Sequence, residues 1–325
     1  MSLILPPPLV ERREFANQRL DDLRRQVSTL GLLREQPEVC VFVTGSYGRG
    51  EASVHSDIDL FLLHPTQRPL DTWSREVIAQ IQTCTERLAL PPFSKAGDYL
   101  MPHVVKDILS CMGSPEDDHK NYFTARMLLL LEGQSLWNDN AFEKARAQIL
   151  NAYFRDLPDH RNDFNPHFLL NDVVRFWKTL CLNYEERRNR PEDAAQTAKH
   201  RLKNVKLRYS RVLTCFATVA ALATYPDRVE RASQVIFDLS PTERLEHVSH
   251  QGLADAEPQV QALLDEYAVF LEMVGRPEGE LLDYLADNDV WLEWRRRAAE
   301  FGNGMFYLLA ALDTPRLQLL RHLLI

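Results

Sequence analysis

Val41–His64 reads VFVTGSYGRGEASVHSDIDLFLLH. Val41, Phe42 and Val43 read as a short apolar strand, Gly45-Ser46 as a turn, and Arg49 sits between Gly48 and Gly50. A second strand opens on two aspartates one residue apart, Asp57 and Asp59. Strand side chains alternate faces, so Asp57 and Asp59 project together while Ile58, Leu60 and Leu62 point the other way. Two carboxylates held side by side repel each other and resist desolvation unless a cation sits between them. Hard divalent cations such as magnesium take oxygen ligands and usually bring substrate phosphates with them. A glycine turn, lacking a side chain, lets backbone N–H groups approach a phosphate.

Gly45-Ser46 followed after ten residues by Asp57-Ile58-Asp59 resembles the signature of the DNA polymerase beta-like nucleotidyltransferase superfamily. The fuller string GSYGRGEASVHSDIDLFLL is most similar to the bacterial subgroup that includes the nitrogen-regulator uridylyltransferases. The match is strong over the quoted stretch and loose, by element order, over residues 1–140. The resemblance implies that Gly45 and Ser46 hold a nucleotide's phosphates and that Asp57 and Asp59 hold two magnesium ions, with manganese as an alternative. Two-metal sites of this kind use three carboxylates, the third also helping to deprotonate the attacking hydroxyl. Asp98 is expected to be that third group, because it lies in the only later part of the first domain that reads as a strand. Asp107 and the Asp117-Asp118 pair are the alternatives. Arg49 either touches a phosphate or pairs with Glu51 or another acid on the rim.

A chain of 325 residues accommodates two domains. Its formal net charge of −8 argues against bulk attraction to nucleic acid or an anionic membrane. The charge is unevenly spread. Residues 161–211 carry twelve Lys/Arg against six Asp/Glu, which suggests a focused anion site. The five cysteines are scattered and contain no C-x-x-C pair, which excludes a cysteine-rich zinc motif and points to a reducing, cytoplasmic setting. The opening MSLILPPPLVERRE lacks a leading basic region, so no signal peptide is expected. The apolar window 212–225 is too short to span a bilayer and reads as a core helix.

Along the chain, Ala16, Leu20, Leu23, Val27 and Leu30 recur at helical steps, with Gly31 as a stop. A helix is expected over 70–88, and a third strand over 93–105, interrupted by Gly97 and Pro102. Beyond Gly113 the pattern is helical. Asn140 reads as a helix start with Glu143 as its reciprocal cap, and a long helix is expected over 197–224. Ser240-Pro241 and Thr314-Pro315 read as cap-plus-proline starts. The expected architecture is therefore an α/β palm over residues 1–140, a small mixed sheet with helices, followed by an all-α helical domain over 141–325.

The helical part carries a second constellation. Lys199, Lys203, Lys206 and Ser210 follow steps of four, three and four and so share one helix face. Lys206 with Ser210 resembles the lysine-and-serine pairs with which relatives hold the β- and γ-phosphates. Asn171, Arg175 and Lys178 share a face of the preceding helix. A solvated basic face is the plainer reading of both rows. Arg201, Arg208 and Arg211 lie on another side and are either salt-bridged or substrate-facing. Trp291 and Trp294, beside Arg295–Arg297, either stack on a nucleobase or partner, or belong to the core. No G-x-x-x-x-G-K-[ST] loop, G-x-S-x-G elbow or H-E-x-x-H helix is present. The HD dipeptide of a metal phosphohydrolase is also absent from these residues.

The expected activity is transfer of a nucleoside monophosphate from a nucleoside triphosphate to an acceptor hydroxyl. A protein or small-molecule acceptor is favoured over RNA, whose phosphates need a broad basic surface. A nucleotide-joining synthase and a non-catalytic nucleotide-binding regulator are the rival classes.

Overall fold

The computed structural model describes residues 3–66, 71–91, 93, 102–159, 164, 166–188, 194–224, 229–250 and 256–313. Helix α1 spans Pro7–Val27, and the apolar stripe read from the sequence is its buried face: Ala16, Leu20, Leu23 and Val27 expose nothing. There follow α2 (Gly31–Arg34), β1 (Cys40–Thr44), the single-turn α3 (Gly45–Gly48), β2 (Asp59–His64) and α4 (Asp71–Arg87). Then come β3 (His103–Val104), α5 (Val105–Ser110), α6 (Pro115–His119), α7 (Tyr122–Glu132), β4 (Gln134–Trp137) and α8 (Asp139–Tyr153).

The sheet has the order β3-β2-β1-β4, with β1 antiparallel to both neighbours and β3 parallel to β2. Strand alternation sorts the side chains between two faces. Val41, Val43, Ile58, Leu60 and Leu62 join Leu20 and Leu23 of α1 and Val77 and Ile81 of α4 in one core. On the other face Phe42 stacks on Phe61 at 5.1 Å and meets Phe142 of α8 at 5.7 Å. Both faces are covered, which is why these strands read as near-continuous apolar runs.

Several sequence expectations change here. The third strand appears only at its ends among the described residues: Phe93 bridges Ile58, and His103–Val104 pairs with Leu63–His64. Asp98 lies outside the described residues. Strand β4 was not anticipated, because four residues between two helices carry too little periodicity to register. The cap of α8 is Asn138 rather than Asn140: its side-chain oxygen accepts from the Ala141 N–H at 3.2 Å, and its amide donates to the carbonyls of Pro37 and Val39. The chain divides after Arg155, into Glu11–Arg155 and a second unit of Met1–Val10 with Asp156–Ile325. Helix α8 stays with the sheet because Phe142 packs on Phe42.

His64 closes β2 with 1% of its surface exposed, its Nδ1 accepting from the Thr66 N–H at 3.2 Å. Burial pushes its pKa below the ordinary imidazole value, with Glu38 opposing the shift. A lowered folded-state pKa means that the unfolded chain binds the proton more readily. The stabilisation is thus complete above about pH 6.5 and lost as pH falls toward the folded value. Denaturant melts between pH 7.5 and 5.5 should show this loss, and His64→Gln should reduce the slope.

The second unit is helical: α9 (His167–Arg188), α10 (Ala194–Lys206), a π-helical turn (Leu207–Arg211), α11 (Val212–Ala223) and α12 (Val229–Asp238). It continues with α13 (Pro241–Ser249), α14 (Ala256–Val274), α15 (Glu278–Ala286) and α16 (Asn288–Leu312). The expected long helix is the path from α10 through the π turn to α11. Ser240 and Glu243 form the capping box that precedes α13. Thr314-Pro315 lies outside the described residues. Tyr209 stacks on Phe270 at 4.7 Å and on Phe301 at 4.8 Å, with Trp294 at its edge, so Trp294 is a core residue. No helix among the described residues is long and apolar enough to cross a membrane.

Candidate active site

Strand β1 delivers the chain to Gly45, whose φ of +68° is a conformation that favours glycine. The missing side chain matters twice, because a Cβ here would lie 2.6 Å from Asp59 Oδ2. The turn is therefore packed directly against that carboxylate. Thr44 and Asp59 are register partners at the ends of β1 and β2. Asp59 is half-buried and Asp57, just before the strand, is exposed, while Ile58 between them is 1% exposed in the core. The buried Ile58 thus separates two aspartates that both keep access to solvent at the start of β2. Ser46 follows Gly45 in α3 and is half-buried. Burial raises the phenol pKa of the neighbouring Tyr47, keeping it neutral.

Beneath this turn lies a buried charge cluster. Glu132, the last residue of α7, accepts from the Gly45 N–H at 3.1 Å through Oε1 and from Arg49 Nη1 at 2.7 Å through Oε2. Arg49 Nε donates to Glu51 Oε2 at 2.7 Å. Arg49, Glu51 and Glu132 are 7%, 5% and 3% exposed, so these bonds form where water competes little. Of the two readings of Arg49, the structure gives the ion pair: its guanidinium is held beneath the turn by two carboxylates. The Gly45 N–H is likewise directed at Glu132. Glu132 was missed in the sequence. Its one signal is an acid ending the apolar run LLLLE, at the negative end of a helix dipole where a carboxylate is disfavoured.

Gly48 is as constrained as Gly45, since a Cβ there would lie 2.0 Å from the Glu132 carbonyl oxygen. Backbone cannot yield as a flexible side chain does. Gly48→Ala is expected to cost at least about 3 kcal/mol of stability, read as a collapse of the thermal unfolding midpoint.

The alternatives for a third carboxylate separate clearly. Asp117 is fully buried in a bidentate pair with Arg126, at 2.8 Å on both arms, and this structural bond occupies it. Asp107 accepts from the Tyr122 hydroxyl at 3.4 Å, and Asp118 is exposed. No group of three or more His, Cys, Asp or Glu converges on a metal position among the described residues.

In the helical unit, Lys199, Lys203 and Lys206 share an exposed face of α10. Ser210 does not join them. It is 6% exposed and accepts from the Tyr267 hydroxyl at 3.3 Å, because it falls within the π turn that follows Lys206 and is covered by α14. Arg175 lies 3.5 Å from Asp172. Arg201 caps α15, donating to the carbonyls of Leu285 and Ala286 at 2.9 Å.

Residues 21–114, which contain the Gly45 turn and both aspartates, match the family described as nucleotidyltransferase domain. These residues resemble a nucleotidyltransferase domain. Two curated relatives, the bifunctional uridylyltransferase/uridylyl-removing enzymes of Psychrobacter arcticus and Psychrobacter cryohalolentis, are each 49% identical to this chain over 41 residues. That match covers 13% of this chain and 4% of each relative. No solved structure matches significantly. The matched residues thus contain β1, the Gly45 turn, β2 and the aspartate pair, while Glu132 reaches the turn from beyond them.

Proposed function

We propose that this chain transfers a nucleoside monophosphate from a nucleoside triphosphate to an acceptor hydroxyl. The observation that carries this reading is the half-buried Asp59 carboxylate seated against the Cβ-less Gly45, with the exposed Asp57 two residues before it. The acceptor oxygen forms a bond to the α-phosphorus, the bond from that phosphorus to the bridging oxygen breaks, and pyrophosphate leaves with the electron pair. The hydroxyl proton passes to a base or to water.

The residues present fit a divalent cation: two adjacent oxygen donors, open to solvent on one side, beside a turn that a side chain would fill. Bound by Asp57 and Asp59, magnesium or manganese would neutralise triphosphate charge and acidify the attacking hydroxyl. Ser46 takes the phosphate contact from the Gly45-Ser46 pair, because the Gly45 N–H is directed at Glu132. Glu132, Arg49 and Glu51 hold the turn in place, and a fixed turn needs no reorganisation as charge develops on the phosphate. In the helical unit, the exposed Lys203 and Lys206 and the partly exposed Arg175 are proposed anion contacts. The third carboxylate is Asp98.

The two relatives are named as uridylyltransferases, which makes UTP the first donor to test. A protein side chain or a small molecule is the acceptor, in keeping with the net charge of −8. The test incubates the protein with each α-labelled nucleoside triphosphate and magnesium in cell extract, beside an Asp57→Ala/Asp59→Ala double variant. A labelled product formed only by the intact protein supports the reading. Absence of product from all four donors, or equal product from the variant, overturns it.

A further inference from the structure

The helical unit contains a cavity of about 570 Å³ on the side of α10 opposite the lysine row. One face of each of three helices lines it. Helix α9 contributes Trp177, Tyr184 and Arg188, α10 contributes His200 and Arg201, and α16 contributes Trp291 and Arg295, with Arg208 from the π turn. Four arginines face one acid, Glu185, so the lining is strongly cationic inside a chain of net negative charge.

The cations and aromatic rings are interleaved rather than segregated. The guanidinium carbons of Arg201 and Arg295 lie 5.6 and 5.8 Å from the Trp291 ring centre. Arg201 is held there by its bonds to the C-terminal carbonyls of α15. Trp177 is braced edge-on by Phe216 at 5.4 Å, and Tyr184 by His200 at 6.3 Å. The walls are therefore fixed before any ligand arrives, which lowers the entropic cost of binding. Burial raises the pKa of the Cys181 thiol in the lining, which favours its protonated form.

Flat aromatic faces stack on bases of any sequence, and arginine forks match phosphate oxygens. A ligand needing both carries an aromatic ring and a phosphate within a few ångströms of each other. The volume suits one such unit rather than a polymer. We propose that this cavity is a second nucleotide site, taking one nucleoside monophosphate by stacking on Trp291 and pairing with Arg208 and Arg188. Arg208, Arg295 and Arg188 are its exposed arginines, Arg188 with 59% of its side chain open to solvent and 3.4 Å from Glu185. The inference is independent of the transferase reading and requires no metal.

Equilibrium dialysis of the full chain against each of the four labelled ribonucleoside 5′-monophosphates, in EDTA, tests it. At least one should bind saturably, at one molecule per chain, with inorganic phosphate and the matching nucleoside at least about tenfold weaker. Arg208→Glu, a surface substitution, and Trp291→Leu should each weaken binding by about tenfold or more. The Asp57→Asn/Asp59→Asn double variant should bind as the wild type does. No saturable binding by any of the four, or unchanged binding in Arg208→Glu and Trp291→Leu, overturns the proposal. So does loss of binding in the aspartate variant, which would place the nucleotide in the nucleotidyltransferase domain instead.

Discussion

Asp59→Asn should reduce nucleotidyl transfer by about 10³-fold or more while moving the unfolding midpoint by no more than about 2 °C. The substitution keeps shape and most hydrogen-bonding capacity but removes the negative charge. Asp59 is half-buried at the mouth of β2, with Asp57 exposed beside it. Relieving repulsion between neighbouring acids costs the fold little, and substitutions outside the core usually change stability by less than about 0.5 kcal/mol. Catalysis is different, since one charged ligand fewer leaves the triphosphate's developing charge uncompensated in a site built around two carboxylates. Steady-state pyrophosphate release with the donor identified in the extract assay measures the first effect, and thermal melts the second. Near-normal turnover in Asp59→Asn would remove the chemical basis of the assignment.

Glu132→Ala carries the second large effect, on stability. One carboxylate satisfies the Gly45 N–H and one arm of Arg49, with its side chain wholly inaccessible to solvent. Deleting it takes the acceptor from a buried donor and one of the carboxylates from a buried guanidinium that Glu51 also pairs. Breaking one side of such a buried pair typically costs about 3–5 kcal/mol, which in a domain of this size lowers the midpoint by about 10 °C. Glu132→Gln should fall between, because the amide oxygen still accepts from Gly45. A double-mutant cycle of Arg49→Leu with Glu132→Ala should give a coupling of about 1–3 kcal/mol. An unshifted melt in Glu132→Ala would show that the turn is held by its own backbone.

These two residues differ in how visible they are before folding. Asp59 is legible because a strand has a period of two, so its companion Asp57 and the apolar Ile58, Leu60 and Leu62 identify the face it occupies. The α1 stripe is legible for the same reason at a period of 3.6, and Ala16, Leu20, Leu23 and Val27 are all buried as it requires. Proline and serine placed the start of α13, through local bonds between Ser240 and Glu243. Strand β4 escaped because its pairing with β1 is a contact between distant residues, and four residues hold no period.

The lysine row and the π turn show where periodicity misleads. Steps of four and three put Ser210 with Lys206, yet Ser210 is covered by Tyr267 of α14. Arg49 shows a related limit: the sequence offered Glu51 as its partner, but the second acid that holds it under the turn, Glu132, lies 83 residues away.

By itself the chain's order of residues determined the strand–turn–strand unit, the paired aspartates and the helical character of the second unit, because these follow from spacing and local bonding. Only the tertiary structure decided that Glu132 anchors the Gly45 turn, that Ser210 faces inward, and that three helices enclose an aromatic, cationic cavity. Each depends on which distant segments meet, and burial rather than sequence spacing sets the strength of the charges found there.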